Sequence, residues 1–342
     1  MGAWNRPLAA LYPSLATALG PLELASLPTP VQALTRLGLP GLYVKRDDLS
    51  SALYGGNKVR KLEFLLGAAR ASGARTVLTM GGAGSNHLLA TALHGLGLGL
   101  RTAGVIFPQP DSPAVRRQRC AYRGAGVELL PTPSKYLLPA SVLAALVRLR
   151  LREGRFPALV PGGGSSPLGC LGFVNAGLEL AEQVRARALP EPAAVFVPYG
   201  TGGTAVGLAL GLRLGELGTR VVAVRVIDRL VANRPRLELL AWSLGRLIRR
   251  HAPGARLPRE LLGNLEIRQG QLGAGYGHPT PQGEAAQAAF SEAGLRLELT
   301  YTAKAAAAFL EEARRGAGPL LFWLTYSSAD IDRWVTGGGG DA

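Results

Sequence analysis

Cysteine is nearly missing: Cys120 and Cys170 are the only two, too few for a disulfide framework and without metal-ligand spacing. Histidine is almost as scarce. His87, His94, His251 and His278 form no HExxH motif or Cys/His cluster, so a metal enzyme is not expected. Apolar runs are short: the longest, at 205–214, contains Arg213 and cannot cross a bilayer. Residues 1–20 carry Pro7 and Pro13 and no uninterrupted apolar stretch of the secretory type, so a cytoplasmic location is expected. Lysine occurs only at positions 45, 58, 61, 135 and 304, which leaves five side-chain candidates for a catalytic amine.

Acidic residues are outnumbered, and the formal charge is +15. This raises the alternative of an arginine-rich binder of nucleic acid or an anionic surface. Yet the 33 arginines are spread along the chain, with one concentration at 244–260 and no aromatic interleaving. A compositional bias explains them more simply, and neither a nucleic-acid nor a membrane partner is expected.

What is present is alternation. Short apolar runs at 41–46, 76–80, 102–107, 127–130, 158–160, 193–198, 220–226, 295–299 and 319–325 predict strands. Helical patterns fall at 59–71, 86–96, 168–187, 205–217, 281–293 and 304–315. Such alternation predicts an α/β fold with mostly parallel sheets, whose ligands bind at the carboxyl ends of strands. Glycine-rich segments stand at those ends, after Met80, Val160 and Pro198. The tail 337–342, GGGGDA, is expected to be disordered.

Three segments carry chemistry. In YGGNKVRKLEFLL, from Tyr54, two glycines deliver Lys58 to a helix start, where positive dipole ends favour a neutral, nucleophilic amine. Two glycines also suggest that something closely approaches the main chain. Arg60 and Lys61 are read as a solvated face of that helix, and the run Lys45, Arg46, Asp47 and Asp48 as salt bridges that pin the loop. Lys304 is the rival amine. In GTGGTAVG, Thr201, Gly202, Gly203 and Thr204 open a helix whose amides suit a phosphate, without the Walker lysine or dinucleotide spacing. In GGAGSNH, Ser85, Asn86 and His87 begin another helix. A phosphate, an aldehyde for Lys58 and a ring oxygen for Asn86 together describe pyridoxal 5'-phosphate.

Taken with SSPLGCLGFVNAGLELAEQ, GYGHP and LTYTAK, these motifs resemble the 1-aminocyclopropane-1-carboxylate deaminase and D-cysteine desulfhydrase family over about residues 30–326. The resemblance implies a tryptophan-synthase-β-like architecture: two domains of three α/β/α layers with mostly parallel twisted sheets. Residues 1–60 and 173–342 would form a large cofactor domain, and 61–172 a small one. It further implies Lys58 as the Schiff-base lysine with Asn57 beside it, Asn86 at the ring oxygen, Ser85 as the active-site serine, and residues 201–204 as the phosphate cup. Tyr276 and Tyr301 would flank a small amino-acid substrate, with His87 near it, in a homodimer. At Thr302 the deaminases carry glutamate against the pyridine nitrogen; a neutral threonine there favours β-elimination, as in D-cysteine desulfhydrases, over ring opening. Leu88-Leu89 and Tyr326-Ser327 depart from the family pattern.

Overall fold

Parallel strands covered on both faces need nearly continuous apolar sequence, and the short runs supply it. The computed structural model describes residues 4–316 and 318–336; the tail 337–342 lies outside them. Within them the strands are β1 (Val31–Ala33), β2 (Leu42–Lys45), β3 (Thr76–Gly82), β4 (Arg101–Phe107) and β5 (Glu128–Pro131). They continue with β6 (Ala158–Leu159), β7 (Ala194–Tyr199), β8 (Arg220–Arg225), β9 (Leu265–Arg268) and β10 (Leu320–Trp323). Six of them form one sheet in the order β1-β2-β10-β7-β8-β9, and four the other in the order β5-β4-β3-β6. Only the β1–β2 pair is antiparallel. β7, AVFVPY, is buried at every position in the centre of the larger sheet. The smaller sheet lies wholly within residues 61–172.

The segment 295–299, expected as a strand, forms none; the edge of the larger sheet beyond β8 is β9, which the sequence reading lacked. Glu298 explains the difference. Its carboxylate turns back to accept from the amides of Thr300, Tyr301 and Thr302, capping the helix Thr302–Arg314. The short helices Pro7–Leu11, Pro13–Leu19 and Asp332–Thr336 were not expected, nor were Pro113–Gly124, Leu138–Glu153 and Arg234–His251. In the last of these, Leu237, Ala241, Leu244 and Ile248 face the core, while Arg249 and Arg250 face outward. The arginine concentration at 244–260 therefore begins as the polar face of an amphipathic helix. No helix among the described residues is long and apolar enough to cross a membrane.

The close approach implied by Gly55 and Gly56 comes from the protein's own backbone. A Cβ on Gly55 would stand 2.2 Å from the Asp48 carbonyl oxygen, and one on Gly56 2.5 Å from that of Thr325. Gly56 also holds φ at 88°, a conformation that disfavours side chains. The Asn57 amide then donates to the Thr325 carbonyl at 3.1 Å, which locks the start of the helix Asn57–Ala71 against the end of β10. Lys58 has no freedom to sit elsewhere.

Behind that helix lies a buried ionic cluster. Arg60 pairs with Asp47 at 2.7 Å and Glu179 at 2.8 Å, and Lys45 pairs with Glu179 at 2.5 Å. Thr29 and Gln183 supply the remaining hydrogen bonds. Arg46 pairs with Asp48 at 2.8 Å, so the charge run pins the loop as expected. Arg60 and Lys61, however, are buried and not a solvated face. Arg60 is neutralised by Asp47 and Glu179, distant in sequence, which a surface reading overlooked, whereas Lys61 hydrogen-bonds only to the Gly163 carbonyl among the described residues.

Candidate active site at the carboxyl ends of both sheets

The turns that follow seven strands meet around one cavity of about 680 Å³. β3 contributes Gly81 and Gly82, β4 ends at Phe107, β5 leads to Lys135 and β6 to Gly162. From the larger sheet come Gly200 after β7, Asp228 after β8 and Tyr326 after β10. All three glycine-rich segments noted after strands line it. Parallel sheets place ligand sites at this end because helix N-termini face it there.

Lys58 stands in the wall with its Nζ donating to Asn57 Oδ1 at 2.8 Å, and Asn57 Nδ2 donates to Thr204 Oγ1 at 3.0 Å. Burial pushes the ammonium down to about 8, and the Glu298 carboxylate opposes that shift. Desolvation is the main cause. In cofactor-stripped protein, the rate at which Lys58 captures pyridoxal phosphate is expected to climb about tenfold per pH unit up to pH 8 and then level. Stopped-flow absorbance across pH 6–10 measures it, and a climb that continues to pH 10 would contradict the shifted amine.

Lys61, one helical turn on, lines the same cavity and donates to the Gly163 carbonyl at 3.0 Å. Burial and the Lys58 charge push it down to about 7, and it has no carboxylate partner among the described residues. Nearby, Ser165 Oγ lies 2.6 Å from Thr201 Oγ1 and accepts from the Gly203 amide at 3.0 Å. A Cβ on Gly163 would fall 2.5 Å from Thr201 Oγ1, and one on Gly203 2.7 Å from Ser165 Oγ. Hydroxyls, a helix N-terminus and a lysine without a carboxylate partner, in a cradle too tight for a side chain, are the kinds of group that bind a phosphate. The sequence reading placed Lys61 on a solvated face and gave Ser165 no role. The i, i+3 spacing from Lys58 and the serine pair after a glycine run were the available signals.

Ser85 caps the helix Asn86–Leu96, its Oγ accepting from the Leu88 amide at 3.3 Å. Asn86 Oδ1 accepts from the Tyr54 hydroxyl at 3.2 Å, which leaves its amide nitrogen as a donor for a ligand. His87 is buried with neither ring nitrogen in a hydrogen bond of ordinary geometry. Burial and the charges of Lys58 and Lys61 hold it far below its usual range, so the imidazole is neutral. Leu88 and Leu89 are fully buried on the core side of the helix.

Tyr301 donates to the Tyr276 hydroxyl at 2.8 Å, with the rings edge-on. Burial raises Tyr276 to about 12 and raises Tyr301 well above the ordinary phenol value, so both phenols keep their protons. Lys58, Asn57, Ser85, Asn86, His87, Thr201, Gly202, Thr204, Tyr276 and Tyr301 thus all line this cavity. Gly203 and Thr302 stand behind it. Thr302 is almost fully buried with its hydroxyl donating to the Glu298 carbonyl, and the carboxylate lining the cavity there is that of Glu298. Lys304 is not in the wall; it donates to the Leu272 carbonyl at 2.7 Å.

A family model described as pyridoxal-phosphate dependent enzyme matches residues 22–325. The chain is 39% identical over 318 residues to nocardicin C-9' epimerase of Nocardia uniformis subsp. tsuyamanensis, covering 92% of this chain and 94% of that protein. It is 32% identical over 315 residues to D-cysteine desulfhydrase of Serratia proteamaculans, covering 88% and 92%. Among solved structures, an ACC deaminase homologue superposes with a TM-score of 0.77 at 28% identity, covering 95% and 99%. Together with the cavity, these likenesses place the chain in the pyridoxal-phosphate dependent enzyme family, within the group of the ACC deaminases and D-cysteine desulfhydrases.

Proposed function

We propose that the enzyme removes and returns the Cα proton of an amino acid bulkier than cysteine, inverting that carbon. The cavity carries this reading: about 680 Å³ surrounds a buried amine and a protonated tyrosine pair. Cavities of roughly 300–1,000 Å³ accommodate drug-sized ligands, and this one runs from the buried amine to an outer wall with exposed leucines, Leu230 and Leu239. The 39% identity to an epimerase supports the same assignment.

Pyridoxal phosphate, when bound, withdraws electrons from the substrate Cα and so acidifies its proton. Thr201, Thr204, Ser165 and the first amides of the helix Gly203–Leu214 would hold its phosphate, with Lys61 as countercharge. Asn86 would donate to its ring hydroxyl oxygen, and Lys58 would meet its aldehyde. The amides that open the helix Asn86–Leu96, next to Ser85, suit the substrate carboxylate. Lys58, neutral at moderately alkaline pH, is the base for the Cα proton. Tyr276, accepting from Tyr301, keeps its own O–H as the proton donor that returns one. Two different groups on one carbon are what inversion requires.

A second reading is D-cysteine desulfhydrase-like elimination to pyruvate, ammonia and sulfide. The neutral Thr302 and the 32% identity to a desulfhydrase favour it. Incubation of holoenzyme in D₂O with D- and L-amino acids separates the two. Deuterium at Cα with loss of optical purity and no ammonia is expected for aromatic and extended substrates. Stoichiometric keto acid and ammonia from D-cysteine would transfer the assignment to the second reading. Turnover of 1-aminocyclopropane-1-carboxylate, which has no Cα proton, would defeat the first outright.

A further inference from the structure

Four cations line the cavity, and three are accounted for. Lys58 and Lys61 serve the inner end, and Lys135 is neutralised by Asp228 in an ion pair that joins the turn after β5 to the turn after β8. The fourth, Arg236, is the one arginine in the wall, and its guanidinium makes no hydrogen bond or ion pair among the described residues. Both lining carboxylates are already engaged, Asp228 by Lys135 and Glu298 by three amides.

Arg236 does not stand alone. It shares one face of the helix Arg234–His251 with Leu239, Leu240 and Ser243, all in the wall, at the i, i+3, i+4, i+7 spacing. Leu230 precedes that helix and is 82% exposed, and Leu239 is 63% exposed. Across the cavity Leu138 and Tyr136 complete an apolar passage. Large leucines left in water along the outer wall, with an unpaired guanidinium beside them, describe a surface awaiting an apolar body that ends in an anion.

Resting on the reading above, we infer that the substrate's side chain is an extended apolar, aromatic-sized group with a terminal carboxylate, and that Arg236 binds that carboxylate. The inner cavity then handles the amino-acid end, and the outer wall selects among side chains. Because Arg236 is exposed, its contact is partly screened, and the expected preference is modest.

Two probes that differ only in the para substituent test this, S-(4-carboxybenzyl)cysteine and S-(4-methylbenzyl)cysteine, with cysteine as reference. For holoenzyme, KM for release of the Cα proton and Kd from the change in the cofactor's visible absorbance are measured with both enantiomers. The carboxylated probe is expected to bind at least about fivefold more tightly than the methyl probe. Arg236→Met should bring that ratio near one, Arg236→Lys should recover part of it, and added salt should reduce it. Equal constants for the two probes, or a preference that survives Arg236→Met, would overturn the inference while leaving the inner-site reading intact. Absence of Cα-proton release from any amino acid, cysteine included, would remove both.

Discussion

Lys58→Ala is expected to abolish covalent capture of pyridoxal phosphate and to lower Cα-proton release by at least about 10³-fold. Two losses combine: the amine that meets the aldehyde, and the base that takes the substrate proton. Borohydride treatment followed by peptide mass spectrometry should find one pyridoxyl adduct, on Lys58, in wild-type protein and none in the variant. The alternative amines are poorly placed. Lys61 is tied to the Gly163 carbonyl and Lys304 to that of Leu272. Circular dichroism should show an intact fold, since Lys58 contributes a single side-chain hydrogen bond, to Asn57. An adduct at position 61 or 304 in wild-type protein, or activity within tenfold of wild type in the variant, would refute the assignment.

The largest loss of stability is expected from Glu179→Ala, about 3–5 kcal/mol in denaturant-induced unfolding. Its carboxylate compensates both Arg60 and Lys45, neither of which reaches water. Removing it leaves two buried cations facing only Asp47. Burial opposes ionisation of Glu179, but Arg60 and Lys45 outweigh that and hold the carboxyl at about 2. A depressed carboxylate stabilises the fold fully above its unfolded value near 4.5, and that contribution is lost as pH falls toward 2. The variant should therefore differ most from wild type above pH 5, and the gap should narrow in acid. A gap that stays constant to pH 2 would place the origin of the loss in packing instead.

Much of the architecture follows from local sequence, because parallel strands need uninterrupted apolar runs. β3, β4, β7, β8 and β10 come directly from such runs. The helix Arg234–His251 did not declare itself, since arginines and leucines interleave there and the eye meets charge before periodicity. Segment 295–299 has strand-like alternation, yet a single carboxylate at Glu298 finds better partners in three amides than a sheet edge offers. Lys58 and the 201–204 turn were legible because each pairs glycine with chemistry at a helix start. Lys61 and Arg60 were not: burial of a cation depends on a partner over a hundred residues away, such as Gly163 or Glu179. Thr302 was read through a neighbour in sequence, whereas Glu298 reaches the cavity from the turn before it.

The two ends of the cavity are built from different materials. At the inner end, main chain presses on main chain at Gly55 and Gly56, with no space for an added carbon. At the outer end, Arg236, Leu239 and Ser243 project from one exposed helical face whose core contacts lie on the other side. Substitutions near the lysine would disturb the scaffold itself, while exchanges along the outer face would leave it standing. A lineage carrying this fold can thus change its diet by a few outer replacements and keep its reaction chemistry fixed.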